Sequence, residues 1–364
     1  MSALDKLDIS KIRLCNQHIS QTSFSSPSEV VSWFGAMQAQ DYHGSKWSVG
    51  LRMKSATDST IEKSIANKEI IRTWALRGTL HFVTPPDIYW IMDLVAPKLI
   101  KSLASRYKQM ELDSKLISKS NNLLVKAVEG NKALTRAELK EILSKSKIPT
   151  HELRLGFILQ RAVFDKLMCL GPRRDKEFTF VSLEEWAPKT KAITREEAIS
   201  LLAKRFYQSH FPATDQDFAW WSGLTINEAR SGSEMNKSTL IRESINGIDY
   251  WVSENIHEVK SNIPDVFLLP GFDEYMLGYK DRSAIIDNQH VKHVFASGNA
   301  IFKNTIVING KVEGTWSRAI KKNEVIIETY LFPGLKKTYS KELKKEAERF
   351  GKFLGMETRV VRIE

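Results

Sequence analysis

Apolar positions in this chain first recur at helical spacing and then alternate, and the two textures follow one another three times. The clearest copy opens at Thr194-Arg195-Glu196-Glu197, a Thr-x-x-Glu helix start. An amphipathic run through Ala198, Leu201, Leu202 and Phe206 follows. A short second helix, Ala213 to Ser222, is predicted to stop at Gly223, and a third to begin within Leu224–Arg230. Leu240 to Val252 then reads as two strands around Asn246-Gly247, a strong tight-turn signal. Helices followed by a hairpin are the layout of a winged helix.

A second copy runs from about Leu123 to Val181, with a Thr135-x-x-Glu138 start, a helix expected over Thr150–Leu167 and a hairpin whose tip carries Arg173 and Arg174. The first copy is less regular. Its helices are predicted at Pro27–Gln40 and Thr60–Asn67, and its hairpin at Ile70–Val83, ended by Pro85-Pro86. Asp87 to Val128 reads as a helical bridge interrupted at Pro97, and from about Ile263 the texture becomes β, with a second Asn-Gly hairpin at Asn309-Gly310. The predicted architecture is α+β: three tandem winged-helix modules (1–86, 129–190, 191–260), the bridge at 87–128, and a C-terminal β-rich domain at 261–364.

Charge changes the picture most. The chain of 364 residues carries a formal net charge of +11 and a pI near 9.4, which favours a polyanionic partner. The best basic amphipathic run, Lys336 to Lys352, is interleaved with Glu342, Glu346 and Glu348 and reads as a solvated face rather than a membrane anchor. No apolar run approaches the ~18 residues of a membrane span, and Met1–Asp8 lacks a signal-peptide layout, so a cytoplasmic protein, associated with the nucleoid when DNA-bound, is expected. Cys15 and Cys169 fit no metal spacing and read as incidental thiols. His290 and His293 form an i,i+3 pair without an evident third ligand, so no metal site is expected.

Candidate chemistry centres on Met37-Gln38-Ala39-Gln40-Asp41-Tyr42-His43. Glutamine is no general base, but its carbonyl can accept from a water and its amide can donate to a sugar or phosphate. Residues i and i+2 of a helix point ~200° apart. Gln38 and Gln40 can therefore serve one site only if the helix ends near them. The alternative is two amides flanking the stripe Val30-Phe34-Met37 and capping nearby backbone. Asp273 is a candidate for the carboxylate that the pair lacks, or else for a turn contact.

Four blocks carry a resemblance across nearly the whole chain: Gln38-Ala39-Gln40-Asp41, Arg77 to His81, Leu269 to Arg282, and Gly310 to Trp316. Together they resemble the bacterial winged-helix DNA glycosylase family typified by AlkZ and YcaQ, in its Gln-x-Gln form. The resemblance implies a basic, concave DNA-binding surface, Gln38 and Gln40 at the catalytic centre, and removal of N7-alkylated purines or unhooking of interstrand crosslinks. Such a base is already cationic and leaves without a strong acid, so the enzyme mainly places water and stabilises positive charge on the sugar. Efficient excision of uncharged bases is not expected from a pair without a carboxylate. Candidate DNA contacts near the motif are Asp41, Tyr42 and His43; on the hairpins, Arg77, His81, Arg173 and Arg174; and in the C-terminal part, Asp273, Tyr275, Lys280, Arg282 and Arg318, with Lys321 and Lys322 as further phosphate contacts. The expected protein is a monofunctional glycosylase, a monomer acting on double-stranded DNA that carries alkylated bases, without metal or organic cofactor. The runner-up is a non-catalytic winged-helix DNA-binding protein, such as a transcription regulator.

Overall fold

The computed structural model describes residues 8–151, 153–253, 266–295, 302–335 and 339–362. The expected module edge at 260/261, the start of the basic run at Lys336, Ile363 and most of the N-terminal segment lie outside these residues. The chain divides into two compact units, one of residues 1–61 with 200–364 and one of residues 62–199. The division falls inside the Asp58–Ala66 and Arg195–His210 helices.

In the 62–199 unit, five strands pair antiparallel in the order Leu80–Val83, Ile71–Trp74, Met168–Leu170, Thr179–Ser182, Leu134–Thr135. The hairpins expected of the first and second modules thus share one sheet, joined at Arg72 and Leu170. The first hairpin turns through Arg77 and Gly78, both at positive φ. Pro85 and Pro86 open the Pro85–Ser102 helix, where their missing N–H groups have no intrahelical partner to lose. That helix runs through Pro97 rather than breaking there. Trp90, Ile91, Leu94 and Val95 bury one face, and a proline forfeits one backbone bond of an otherwise anchored helix. The Arg136–Lys145 helix starts on the Thr135–Glu138 capping box, and the helix expected over Thr150–Leu167 is shorter, Arg154–Phe164. Leu124, Leu139, Leu143, Ile158, Leu159 and Phe180 form the core between helices and sheet.

In the other unit, the Asp215–Ser222 and Ile226–Met235 helices begin on capping boxes at Thr214 and Thr225. The hairpin Leu240–Ile245 with Ile248–Ser253 turns at Asn246 and Gly247, both at positive φ as a type I′ turn requires. A second sheet orders Glu357–Arg362, Glu324–Leu331, Lys311–Ile320, Asn304–Ile308 and Val266–Leu269, its first pair parallel and the rest antiparallel. The Ser340–Leu354 helix lies against it and brings Phe350 and Phe353 within 5.2 Å of the Trp47 ring. Trp47 also donates through Nε1 to the Leu268 carbonyl at 2.7 Å, which ties the Tyr42–Gly50 helix to the sheet. Among the described residues no helix is long and apolar enough to cross a membrane.

Candidate active site

The helix before the glutamine motif begins on a Ser26–Glu29 capping box with Pro27 in its first turn. It ends at Phe34, earlier than the expected Gln40. Gly35 at φ +78° takes the backbone out of the helix, a conformation that a side chain makes costly. Arg205 donates to the Ser32 carbonyl at 3.0 Å and closes that terminus. Met37–Gln38 is a two-residue strand. The helical offset between Gln38 and Gln40 therefore does not apply, since neither residue is helical: Gln38 lies in the strand and Gln40 in a bend before the Tyr42–Gly50 helix. Gln38 is 7% exposed, Ala39 is fully buried and Gln40 is exposed.

The Gln38 main chain is anchored from afar. Its N–H donates to Oε1 of Glu274 at 2.8 Å, across 236 residues of sequence. The other carboxylate oxygen of Glu274 accepts from Trp221 Nε1 at 2.8 Å and lies 3.6 Å from His210 Nε2. Glu274, Trp221 and His210 are all buried. Burial lowers the His210 pKa, and the neighbouring Glu274 opposes that shift in part. The imidazole Nδ1 faces the Phe206 carbonyl at 3.2 Å, and the ring stacks on Phe206 with centroids 4.6 Å apart.

Asp41 caps the N-terminus of the Tyr42–Gly50 helix by position, with its carboxylate turned to Arg318 at 3.2 Å. Gly44 makes that turn possible, since a Cβ there would run into the Asp41 carboxylate. Tyr42 is 7% exposed and lies under Lys46, whose ammonium pairs with Asp58 at 2.7 Å. His43 is exposed on the same first turn.

Asp273 and Tyr275 are corrections to the expected DNA contacts, because neither has surface to offer. Asp273 is wholly buried and accepts from Arg52 through both oxygens, from Ser48 and from the Tyr275 N–H. A carboxylate so fully bonded is a structural ion pair and not a spare base. The Tyr275 hydroxyl is buried against the Gly310 carbonyl at 2.6 Å, and burial holds its pKa well above the usual tyrosine value. His81 is also buried, with Nδ1 2.9 Å from the Thr79 carbonyl. Tyr42 is likewise buried, whereas His43 and the basic candidates keep surface. Lys280 is exposed, and Arg282 is partly exposed while holding the Met276 carbonyl at 2.7 Å. In the 62–199 unit, Arg77 and Arg173 are partly exposed and the exposed Arg174 pairs with Glu138. Sequence reasoning missed Glu274, Trp221 and His210. Only the adjacency of Glu274 to Asp273 pointed near them, and strand-like alternation could not tell which acid faces the motif.

Among the described residues no group of His, Cys, Asp and Glu is placed to hold a metal ion. The family model described as DNA glycosylase AlkZ-like matches residues 31–353. The "Interstrand DNA cross-link repair glycosylase" of Streptomyces sahachiroi is 24% identical over 367 residues, covering 96% of this chain and 97% of that protein. The solved structure of Streptomyces sahachiroi DNA glycosylase AlkZ matches with a TM-score of 0.80 at 24% identity, over 97% of this chain and 98% of that one, and so shares its α+β fold. Matched over most of its length by the family model, the chain belongs to the AlkZ-like DNA glycosylase family.

Proposed function

We propose that this DNA glycosylase hydrolyses the N-glycosidic bond of N7-alkylated purines in double-stranded DNA, including those that form interstrand crosslinks. The observation that carries the reading is the placement of the glutamines. They follow directly on the end of the Pro27–Phe34 helix, with the Gln38 backbone fixed on buried Glu274 and Gln40 exposed. Gln38 and Gln40 are the proposed catalytic pair. An N7-alkylated purine leaves as a neutral base, so no strong acid is needed. The demand is a water held for C1′ and relief of the positive charge that develops on the sugar. Amide carbonyls can hold that water, and an amide N–H can fix the sugar or a flanking phosphate. The Asp41–Arg318 pair beside the motif supplies a guanidinium for a phosphate and keeps it oriented.

The net charge of +11 supports a backbone-tracking grip on the duplex. We take Arg77, Arg173 and Arg174, on the hairpins of the first two of three winged-helix modules, and Lys280, Arg282 and Arg318, in the C-terminal β-rich domain, as its candidate contacts, in a monomer acting in the cytoplasm on nucleoid DNA. The family is one of enzymes, which leaves the regulator reading without support. The test is mass-spectrometric detection of bases released from DNA treated with different alkylating agents. Release of 7-methylguanine is expected, and a protein that releases no alkylated base from any of them sinks the reading.

A further inference from the structure

We infer that Glu274 is a positioning residue for the reaction, acting through the main chain of Gln38; the inference rests on the proposed role of that glutamine. The acid sits one residue beyond Asp273, the carboxylate that the sequence suggested, and its surroundings differ. Asp273 is bonded to a guanidinium, whereas the partners of Glu274 include two neutral N–H donors, one on each oxygen. One donor is the backbone of the candidate catalytic glutamine and the other is the indole of Trp221. Buried carboxylates are costly and persist where their bonds are needed. This one joins three stretches that nothing local would bring together: the strand at Met37–Gln38, the Asp215–Ser222 helix and the Glu274–Leu277 helix.

The arrangement has a mechanical consequence. Gly35 frees the chain from its helix, and the strand that follows is two residues long, so the Gln38 backbone is held by bonds from distant sequence. The carboxylate of Glu274 supplies one of them by accepting from the Gln38 N–H. Both oxygens must accept at once. A glutamine at 274 has one acceptor and one donor, so its NH2 meets either the Gln38 N–H or the Trp221 N–H, donor against donor. Replacing Trp221 by Phe removes one of those donors and lets the amide oxygen return to Gln38.

The experiment compares wild type, Glu274→Gln, Trp221→Phe and the double variant in single-turnover release of 7-methylguanine from methylated duplex DNA. DNA affinity, thermal midpoint and hydrogen exchange of the Gln38 amide are read alongside. Glu274→Gln should slow release by roughly 100-fold, the size expected of a small misplacement of a reacting group. Its DNA affinity should stay within a few-fold of wild type, and exchange of the Gln38 amide should quicken. The double variant should recover most of the rate and slow that exchange again, although it has lost more core than the single one. A merely structural role predicts the reverse, with the double variant worst in rate as it is in thermal midpoint. Wild-type rate in Glu274→Gln, on DNA that the wild type processes, overturns the inference alone, as does a double variant no faster than the single one. A wild-type protein inactive on every alkylated DNA overturns the proposed function and this inference with it.

Discussion

Asp273 and Arg52 face each other through two hydrogen bonds of 2.8 Å, and both side chains are wholly buried. Ser48 and the Tyr275 N–H complete the carboxylate, while Gln17 and Ser48 take the remaining guanidinium donors. The pair fastens the Tyr42–Gly50 helix, which starts just after the glutamine motif, to the turn that carries Glu274. Removing one partner strands the other as a buried charge. Asp273→Asn should therefore cost about 3–5 kcal/mol of stability, read as a shift in the denaturant midpoint. An unchanged midpoint with lost base release would instead return Asp273 to the list of reacting groups.

Arg318 offers a cleaner test of DNA contact, because its partner is known. It pairs with Asp41 at 3.2 Å and its side chain keeps 16% exposure. If it also meets a phosphate, Arg318→Ala should weaken duplex binding for all sequences and reduce the slope of log affinity against log salt by about one. If it serves only to orient Asp41, affinity will fall without any change in that slope.

How much of this was readable beforehand follows from range. The capping boxes at Thr135 and Thr194, the Asn246-Gly247 turn and the Asn309-Gly310 turn are decided within a few residues, and the sequence located each of them. The α+β class followed from their order. The end of the helix at Phe34 was misplaced to Gln40, because apolar residues continue in period while the backbone changes at Gly35. The partners of the motif were out of reach altogether. Gln38 meets Glu274 across 236 residues, and no spacing encodes that bond. Of the two adjacent acids, Asp273 makes the turn contact that was one of its two expected roles, and Glu274 is the one that meets the Gln38 N–H.

His210 should leave a mark on the pH dependence of stability. Burial lowers its pKa in the folded protein, against an unfolded value near 6.5. Between those two values the unfolded chain binds the extra proton, so stability rises with pH there. His210 thus contributes fully above about pH 6.5 and loses its contribution as the pH falls toward the folded value. His210→Gln removes the titration and keeps a neutral polar side chain. Urea midpoints measured from pH 8 to pH 5 should fall less steeply for this variant than for wild type, and parallel curves would show that the histidine titrates alike in both states.

Gly44 couples the helix start to the site. Alanine is the better helix former, so on propensity alone Gly44→Ala gains up to about 1 kcal/mol. Its methyl group would run into the Asp41 carboxylate and press on the Pro270 ring. Overpacking of this kind costs about 1–3 kcal/mol, so net destabilisation is expected, together with displacement of Asp41 from Arg318. A calorimetric midpoint at or above wild type would show that Asp41 swings aside at no cost.

The glutamines themselves should separate stability from chemistry. Gln40 is exposed, so Gln40→Ala should move stability by no more than about 0.5 kcal/mol. Gln38 is nearly buried, and its truncation should cost about 1 kcal/mol. Neither change removes a positive charge, so duplex affinity and its salt dependence should stay close to wild type. Release of 7-methylguanine should nevertheless fall by roughly 100-fold or more in each. The double variant should be little worse than the more damaged single one, because two groups that hold one water fail as a unit. Additive losses would mean that the two amides act on different atoms. Base release at the wild-type rate from the double variant would move the reaction centre away from the end of the Pro27–Phe34 helix.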